Sequence, residues 1–387
     1  MKKIICFILV FVLVSNLTGC SGKRSVKPYQ NKIYGVWFSY SELDSMLMGG
    51  NFKDAFSNAL ENCELLGITD VFIHTRPFCD SIYPSKYFPL RRTAKSCDFD
   101  ILSYITEACH NKNIRIHAWI NPYRVRTGDS SIDALDDESP AKKWLSDSDS
   151  NNDVNVSTLE GIYLNPTSTE VTKLIINGIS EIVGNYNVDG IHFDDYFYPT
   201  QSEEFDGNIY KSYAEQSANS LPLDEWRRAN VSALISSVKS LLADKGIIFS
   251  ISPAADIEKN KSGYYADIEN WIKSGYVDWI IPQLYFGFNY PDKNFCFDRL
   301  FIKWQELSKL GASKLIIGLA SYKIDTDKEI EKKEWSSGEL LSREIQYADK
   351  ADGFCFFSYS SLFGNSTNQT KEREKISHSI ADEKRNQ

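Results

Sequence analysis

The sequence lacks clustered basic residues: its 43 Lys and Arg are scattered, and 52 Asp and Glu give it a formal net charge of −9. Binding to nucleic acid requires a basic surface that neutralises phosphates, so a nucleic-acid partner is not expected. Only five His are present, and no Cys-x-x-Cys or Cys/His spacing typical of a structural metal site occurs. We therefore expect neither a metal nor a cofactor.

Long apolar runs are missing as well, apart from Ile4–Val14, which follows two lysines near the N-terminus. This run is too short to span a bilayer and has the length of a signal-peptide core. It leads into a Leu-Thr-Gly-Cys sequence ending at Cys20, which resembles the lipobox of bacterial lipoproteins. We therefore expect residues 1–19 to be a signal peptide, Cys20 to be lipidated, and residues 20–31 to tether the protein to the exported side of a membrane in the cell envelope. The alternative is an ordinary secretory signal with a chance cysteine.

Short apolar runs rich in β-branched and aromatic residues recur eight times, and each is followed by a segment of helical periodicity. Such alternation predicts a parallel sheet covered by helices, and eight repeats predict a closed α/β barrel, the (β/α)8 TIM-barrel fold, with a doubly wound open sheet as the alternative. The barrel is expected over residues 32–380, followed by a charged tail over 381–387. The predicted strands are Ile33–Tyr40, Asp70–Thr75, Ile114–Ile120, Val188–Asp194, Ile247–Ser252, Val277–Leu284, Leu315–Ala320 and Gly353–Ser358. The predicted helices are Phe52–Leu66, Phe99–Asn111, Thr169–Tyr186, Leu223–Ala243, Tyr264–Ser274, Phe295–Leu310, Ser337–Ala348 and Lys371–Ile380.

Two connections are too long to be simple turns: Pro122–Ser168 after the third predicted strand and Phe197–Pro222 after the fourth. Both follow the C-terminal end of a strand, which is the face on which barrel enzymes carry their active sites. Long loops in compact domains are commonly functional. We therefore expect the site on this face.

Polar side chains occupy strand ends that a purely structural barrel would fill with Val, Ile and Leu. Because side chains alternate along a strand, several of these groups should share a side, and if that side is the lumen they form a ring at the top of the barrel. Such groups are costly to bury without partners, so their repetition over five strands indicates a functional site. A single inward-facing histidine is more often a structural residue than a catalytic one, and Trp37 and Trp119 are interpreted as core residues. The predicted substrate-binding residues are Arg76, His117, Asn121, His192, Gln283, Tyr285 and Tyr359, with His74 on the same side as Arg76.

Asp194 and Asp195 are adjacent carboxylates at the end of the fourth predicted strand. Two neighbouring carboxylates repel each other, so one pKa should rise and the pair should hold a proton near neutral pH. A protonated carboxylic acid beside an ionised carboxylate is what glycosidic bond cleavage requires. We therefore predict that these two residues are the catalytic centre of a glycoside hydrolase. The alternative is a capping or salt-bridged Asp in the following loop.

Five segments, taken together, are specific enough to indicate a protein family: YGVWFSY at 34–40, INPYR at 120–124, GIYLNP at 161–166, DGIHFDDYFYP at 189–199 and IPQLYF at 281–286. In these segments the sequence resembles the glycosyl hydrolase-like 10 family of bacterial envelope proteins, over roughly Ile33 to Phe363. The resemblance implies a barrel, exported or lipid-anchored members, and glycoside hydrolysis. The implied partner is a polysaccharide substrate, especially cell-wall glycan strands without peptides.

The adjacent Asp residues are also similar to those of O-GlcNAcase-type hexosaminidases, which use the N-acetyl group of the substrate as the nucleophile. That resemblance implies that Asp194 orients the acetamido group and Asp195 protonates the leaving oxygen, with the two roles exchangeable. Chitinase-type barrels carry a Glu where this chain has Tyr196, so the resemblance to them does not extend to that residue. In a conventional mechanism the second carboxylate would be Asp256.

Two other functions fit parts of the pattern. A non-catalytic carbohydrate-binding or scaffold protein would keep the barrel without needing the Asp pair. A metal-dependent hydrolase or deacetylase would use His74, His117, His192 and Asp194, but the HxH motif of amidohydrolases is missing from the first predicted strand.

The cysteines of the barrel are interpreted in two groups. Cys63, Cys109 and Cys355 fall on predicted helices and strands and look like small buried hydrophobic residues. Cys79 and Cys97 share one long loop and could form a disulfide if the compartment is oxidising.

Overall fold

The structure, a computed structural model, describes residues 32–216 and 218–385; the predicted signal peptide, Cys20 and the whole of the predicted tether lie outside the described residues. Within this part of the chain, eight parallel strands close a barrel in which each strand pairs with its neighbours along the chain and the last pairs with the first. The predicted (β/α)8 fold is therefore confirmed, and the open-sheet alternative is wrong. The strands are β1 (Ile33–Phe38), β2 (Asp70–Arg76), β3 (Arg115–Ile120), β4 (Gly190–Phe193), β5 (Ile248–Ile251), β6 (Trp279–Ile280), β7 (Lys314–Leu319) and β8 (Gly353–Phe356).

Helices cover the outer face of the barrel and bury their apolar side chains against it. Their periodicity places buried residues three or four apart, as in Phe52, Phe56, Ala59, Leu60 and Cys63 of the first long helix. The helices are Tyr40–Met48, Phe52–Leu66, Ile101–Asn111, Pro140–Ser146, Thr169–Asn185, Gly207–Gln216, Leu223–Leu242, Ile257–Gly263, Ile268–Lys273, Phe297–Ser308, Glu329–Trp335, Leu340–Tyr347, Tyr359–Leu362 and Thr367–Arg385.

The barrel interior is a second packed core, separate from the layer between strands and helices. Trp37, Phe72, His117 and Gly190 lie at the same register on β1 to β4. Gly190 makes room for the imidazole of His117, since a Cβ at this position would lie 2.0 Å from His117 Nδ1. The apolar residues of this interior cluster are Ile33, Trp37, Phe72, Trp119, Trp279, Ile281, Ile316 and Cys355.

The long connection after β3 is ordered around a small antiparallel sheet. Its strands are Arg124–Thr127, Val156–Ser157 and Gly161–Leu164, with Gly161–Leu164 in the middle. Because this sheet begins directly after β3, it holds Arg124 beside the carboxyl end of the barrel. The connection after β4 likewise contains a helix, Gly207–Gln216.

The last helix is longer than the sequence predicted, and part of the segment assigned to a charged tail is helical. The helix runs over Thr367–Arg385 rather than ending at Ile380. Glu383 pairs with Lys32 Nζ at 2.6 Å and accepts a hydrogen bond from the Tyr34 hydroxyl. These contacts fasten the end of the chain to β1.

The structure tests both expectations about the cysteines. Cys63, Cys109 and Cys355 are buried, as predicted. Cys79 and Cys97 are both free thiols, so the predicted disulfide is wrong: the Cys79 side chain is buried among apolar neighbours, and Cys97 is half-buried.

None of the helices in the described ranges is both long and apolar enough to cross a membrane.

A buried pair of acids lies where helix Leu340–Tyr347 packs against the last helix. Glu344 is fully buried, and neither of its carboxylate oxygens has a hydrogen-bond partner within the described residues. Glu372 is 1% exposed and accepts hydrogen bonds from the backbone N–H groups of Leu341 (3.2 Å) and Ser342 (3.3 Å). Burial raises the pKa of Glu344 well above its usual value, and the charge of Glu372 raises it further; burial raises the pKa of Glu372 to about 7.

We expect the free energy of unfolding to fall as the pH rises from about 4.3 to about 8. A carboxyl whose pKa is raised by folding gives a stabilisation that is complete below its unfolded pKa and is lost as the pH rises through its folded pKa. Glu344→Gln should make this decline shallower, by about 1.4 kcal/mol in total for each unit by which folding raises the pKa. Urea unfolding at several pH values measures the effect, with Glu374→Gln, an exposed site on the last helix, as the control. Identical pH profiles for the wild type and Glu344→Gln would contradict the prediction.

Candidate active site

A cavity of about 420 Å³ opens at the carboxyl end of the barrel strands. Asp194 and Asp195, which follow β4, both line it, as do Gln283 and Tyr285, which follow β6. This is the face predicted to carry the site. The full lining is Trp37, Ser39, Tyr40, Ser41, Glu42, His74, Trp119, Arg124, Asp194, Asp195, Tyr196, Ser252, Gln283, Tyr285, Phe357, Ser358 and Ser360.

Asp194 is held by N–H donors on both of its oxygens. Trp119 Nε1 donates to Oδ2 at 3.0 Å, and Asn121 Nδ2 lies 2.9 Å from Oδ2 and 3.2 Å from Oδ1. The backbone N–H of Tyr196 donates to Oδ1 at 3.1 Å. Donors of this kind favour the ionised carboxylate and leave little room for a proton on either oxygen.

Asp195 has a different environment although it is the next residue. It is half-buried, and Gln283 Nε2 donates to its Oδ1 at 3.1 Å; the same amide nitrogen donates to the carbonyl of Ser252 at 3.0 Å. No other side chain of the described residues donates a hydrogen bond to Asp195. Its second oxygen can therefore carry a proton toward the cavity.

Burial shifts the titration of both carboxyls upward. Burial raises the pKa of Asp194 to about 7, and the charge of Asp195 contributes to the rise. Burial also raises the pKa of Asp195, against the hydrogen bond from Gln283, which lowers it. The two carboxyls titrate as a pair, and the pair holds one proton near neutral pH. Asp194 has more N–H donors than Asp195, which favours the negative charge on Asp194.

His74 supports Asp194 through Asn121. The Asn121 amide directs its Nδ2 at Asp194, so its Oδ1 faces His74 Nε2, which must donate. The imidazole is stacked on Trp119 with a centroid distance of 3.6 Å. Burial and the charge of Arg124 lower the pKa of His74 well below its usual value, so the ring is neutral. The sequence suggested that Asn121 binds sugar, but Asn121 is only 1% exposed. Its role is instead to position Asp194, to which its Nδ2 donates.

Arg124 is a cation that acts on both carboxyls, and it was not among the residues predicted from the sequence. Its guanidinium lies between the rings of Phe78 and Tyr196, 4.5 Å from each centroid, and its Nε donates to the carbonyl of Pro77 at 3.1 Å. Its positive charge lowers the pKa values of both Asp194 and Asp195, against the larger effect of burial. The INPYR segment contains this residue, so a signal was present in the sequence.

The prediction that Arg76 faces the lumen is wrong, because β2 is irregular at its end. The register of β2 with β3 shifts between His74 and Arg76, which inserts Thr75 and turns Arg76 outward. The guanidinium lies 4.2 Å from the ring of Phe88, against Gly178 of the helix Thr169–Asn185. It is 1% exposed and does not line the cavity.

The structure places His117 and His192 below the cavity, in the packed interior of the barrel, where neither has exposed surface. His117 Nε2 lies 2.9 Å from Asp70 Oδ1. His192 Nε2 accepts from Trp37 Nε1 at 3.1 Å, so its Nδ1 carries the proton and donates to Ser250 Oγ at 2.8 Å. Neither ring can contact a glycan in this arrangement.

Tyr359 is also not brought to the cavity. Its ring is stacked on Phe38 at 4.6 Å, and its hydroxyl accepts a hydrogen bond from Asn62 Nδ2 at 3.0 Å on the outer side of the barrel. Gln283 and Tyr285 are therefore the predicted substrate-binding residues that the structure does place in the cavity wall.

Aromatic rings form much of that wall, including two that were interpreted as core. Trp119 is 6% exposed and Trp37 is 2% exposed, yet both line the cavity. Tyr285 is stacked on Phe357 at 6.0 Å, and Tyr196, half exposed, stands at the mouth. Rings of this kind are suited to contacting the faces of sugars.

Glu42 closes the rim between the first and last strands. It belongs to helix Tyr40–Met48, which was not predicted because the first predicted strand extended to Tyr40. The capping-box spacing of Ser39 and Glu42 was the sequence signal for this helix. The Glu42 carboxylate accepts from Ser39 N (2.7 Å), Ser358 Oγ (2.7 Å) and Ser360 N (2.6 Å). It therefore positions the segments that follow β1 and β8.

Asp256 does not lie in the cavity wall. It caps the helix Ile257–Gly263, and its Oδ1 accepts from the backbone N–H groups of Glu258 (3.0 Å) and Lys259 (3.2 Å). The histidines proposed for the deacetylase alternative do not converge either, since His117 and His192 are bonded to other partners. In residues 32–216 and 218–385, no group of three His, Cys, Asp or Glu side chains is arranged to hold a metal ion.

Barrel enzymes that cleave glycosidic bonds use one ionised and one protonated carboxyl, so fold and site together define the class as a glycoside-hydrolase barrel. The particular family follows from the sequence: the chain belongs to the glycosyl hydrolase-like 10 family, whose model matches residues 32–337. The predicted family and the predicted enzyme class are therefore confirmed.

Two proteins with similar sequences are named glycosyl hydrolases. Glycosyl hydrolase YngK of Bacillus subtilis (strain 168) is 30% identical over 323 residues, which is 76% of this chain and 60% of the relative. Glycosyl hydrolase DigH of Escherichia coli (strain K12) is 29% identical over 308 residues, 72% of this chain and 68% of the relative. This chain thus matches less than two thirds of the length of the Bacillus protein.

Solved structures share the fold at low sequence identity. The glycoside hydrolase domain of PgaB (BpsB) from Bordetella bronchiseptica has a TM-score of 0.59 and 12% identity, covering 89% of this chain and 99% of that domain. The C-terminal domain of a putative chitinase from Desulfitobacterium hafniense DCB-2 has a TM-score of 0.54 and 10% identity, covering 90% and 99%. At these identities the likeness shows the barrel fold alone.

Proposed function

We propose that this protein hydrolyses glycosidic bonds in N-acetylhexosamine-containing polysaccharide of the bacterial cell envelope, and that its substrate is the glycan strand of peptidoglycan. The observation that carries the proposal is the unequal hydrogen bonding of two adjacent carboxyls in one cavity. Asp194 has three N–H donors, whereas Asp195, which also lines the cavity, has a hydrogen bond from the side chain of Gln283 alone among the described residues. This supplies one anion and one acid within a single site.

The arrangement supports a substrate-assisted mechanism. Asp194 accepts the N–H of the substrate's acetamido group and orients its carbonyl oxygen toward the anomeric carbon. As that oxygen forms its bond to carbon, the glycosidic C–O bond breaks, and Asp195 gives its proton to the leaving oxygen. Asp195, now ionised, then takes a proton from the water that reopens the cyclic intermediate, which restores both groups.

The cavity walls favour a sugar substrate over other ligands. Rings of Trp37, Tyr285 and Phe357 offer apolar faces, and Ser252 and Ser360 offer polar groups between them. The YngK and DigH proteins and the Bordetella domain are all named as glycosyl or glycoside hydrolases. These names support the class of reaction, and the peptidoglycan substrate is our inference.

The test of this function is turnover on purified glycan strands from which all peptides have been removed. We expect new reducing ends and shorter strands by mass spectrometry with the wild type, and far slower formation of both with Asp195→Asn. If the wild type binds the strands but never shortens them, the hydrolase proposal is wrong and the non-catalytic carbohydrate-binding alternative is favoured.

We further propose that Cys20 carries lipid and holds the protein at a membrane of the envelope, on the exported side. The support is the short apolar run that ends in Leu-Thr-Gly-Cys. Cys20→Ala should move the protein from the membrane fraction to the soluble fraction, and unchanged fractionation would refute the anchor.

A further inference from the structure

Most aromatic side chains in the described ranges are buried or partly buried, and the exposed ones are Tyr196, Tyr322 and Tyr347. Each of these three rings is about half exposed, which forgoes the stabilisation that burial would give. Tyr347 packs against Phe301 in the helix layer outside the barrel. The other two rings stand at the mouth of the active-site cavity.

The Tyr196 ring is held on the side of the mouth formed by β3 and β4. It follows β4, and the guanidinium of Arg124, which follows β3, lies over one face of the ring at 4.5 Å from the centroid. The backbone N–H of Tyr196 donates to Asp194 Oδ1 at 3.1 Å, which fixes this part of the chain. Because Arg124 covers one face, the exposed part of the ring is left for a ligand.

The Tyr322 ring is held on the side of the mouth formed by β7 and β8. It lies in the turn Ser321–Lys323 directly after β7, and its backbone N–H donates to the carbonyl of Phe357 at 3.1 Å. Its ring is nearly perpendicular to those of Tyr285 and Phe357, with centroid distances of 5.7 and 5.9 Å. Both of those rings line the active-site cavity, so Tyr322 continues its aromatic wall outward into solvent.

The two exposed rings therefore lie on opposite sides of the carboxyl pair. In the closed ring of eight strands, β3 and β7 are four positions apart, which is directly opposite. Asp194 and Asp195 line the cavity between the two rings. A linear polymer that contacts both rings must cross the cavity that contains the carboxyls.

We infer that Tyr196 and Tyr322 are platforms for two sugars on either side of the cleaved bond, and that the enzyme therefore cleaves internal linkages of a long glycan strand. The inference rests on the proposed function, because it takes the ligand to be the polymer that enters the active site. A sugar has an apolar C–H face and polar edges, and Tyr combines an apolar ring with a hydroxyl that can stay in water. Since both platforms are open to solvent, a strand can continue beyond each of them, and neither of its ends has to enter the cavity.

The first experiment measures binding by calorimetry in the Asp195→Asn background, so that turnover does not interfere. The ligands are peptide-free glycan strands of one defined length and the disaccharide prepared from them. We expect Tyr196→Ala and Tyr322→Ala each to weaken binding of the long strand about threefold to tenfold, and the combined variant to show the product of the two losses. The disaccharide is too short to contact both platforms, so the combined variant should lose no more than one platform contributes.

Two further variants show whether stacking is the cause. Tyr322→Phe keeps the ring and should bind the long strand nearly as well as the unchanged Tyr322. Tyr347→Ala is the matched control, since it removes an exposed Tyr ring that contacts no residue of the cavity wall, and it should not weaken binding.

The platforms are refuted if the long strand does not bind measurably, if neither single variant binds it more weakly than Tyr347→Ala, or if Tyr322→Phe loses as much as Tyr322→Ala. The second experiment follows the first products that the wild type forms from long strands. Fragments of intermediate length support internal cleavage, whereas release of one small product from the outset would overturn it and leave the hydrolase standing. If the strands bind with the expected losses but are never shortened, the proposed function fails and the platforms remain.

Discussion

Asp195→Asn is expected to lower kcat by about 10²–10⁴-fold on peptide-free glycan strands while leaving the fold unchanged. The amide has the same shape as the carboxyl but cannot give a proton to the leaving oxygen. Gln283 Nε2 donates to Asp195 Oδ1 at 3.1 Å, and the side-chain oxygen of Asn at this position can accept the same hydrogen bond. Steady-state kinetics and a thermal melt of the same preparation separate the loss of chemistry from a loss of structure.

Asp194→Asn should cause a loss of similar size for a different reason. The variant removes the charge that orients the acetamido group, and it places an NH₂ group among the N–H donors of Trp119, Asn121 and Tyr196. Restoring the charge with Glu at this position should not restore kcat, because the longer side chain does not fit the same donors.

The pH dependence follows from the shared proton. Activity requires the pair to hold one proton, and burial raises the pKa values of both carboxyls. We therefore expect kcat to fall at high pH, when the pair loses that proton, and to fall again at low pH, when the second carboxyl is protonated.

Asp256→Asn is the matched control, since it makes the same chemical change in a carboxyl that caps a helix. It should alter kcat only slightly and change stability little, because the Asn oxygen can accept the same capping hydrogen bonds. A loss of kcat at Asp256 as large as that at Asp195, together with full activity on substrates without the N-acetyl group, would rule out the substrate-assisted mechanism. It would leave glycoside hydrolysis itself standing.

The barrel could be predicted because its signals are local. Strands buried on both faces are continuous apolar runs, as in Ile247–Ser252 and Leu315–Ala320, and helix periodicity marks the segments between them. The Asp pair was visible for a similar reason, since two adjacent charges at the end of a buried strand conflict with a purely structural role.

Depth and direction along a strand could not be predicted in the same way. Alternation assigned Arg76 to the lumen, but the irregularity at Thr75 reverses the side, and no residue type marks it. Alternation placed His117 and His192 correctly in the lumen, yet it does not say that their level is sealed beneath the cavity. Side-chain period gives the face of a sheet and not the height at which a pocket opens.

Residues with mixed chemistry were missed for another reason. Trp119 has an apolar ring that belongs to the core and one N–H that donates to Asp194, and only its position reveals the second role. Arg124 comes after the strand has ended, so it had no predicted direction. Its place beside the pair depends on the small sheet formed with Gly161–Leu164, which is a long-range contact.

Arg227→Met is expected to destabilise the protein by about 3–5 kcal/mol, because it leaves a buried carboxylate without its cation. Arg227 is 1% exposed and Asp206 is 2% exposed. Arg227 Nε donates to Asp206 Oδ2 at 2.9 Å, and Nη2 donates to Asp206 Oδ1 and to the carbonyl of Ser202. Nη1 donates to the carbonyl of Gln201 at 3.1 Å and to the Tyr265 hydroxyl at 2.8 Å.

These bonds fasten the segment that follows Asp195 to the helix Leu223–Leu242, so the effect should reach the active site. Tyr198, three residues after Asp195, donates its hydroxyl to Asp206 at 2.6 Å. We therefore expect kcat of Arg227→Met to fall even well below its melting temperature, while Arg228→Met, at the neighbouring half-buried position, changes neither quantity much. Adding Asp206→Asn should recover part of the lost stability, since it removes the unpaired charge. Urea unfolding and kinetics on the same samples test both effects, and an Arg227→Met variant as stable as Arg228→Met would show that this buried pair does not hold the loop in place.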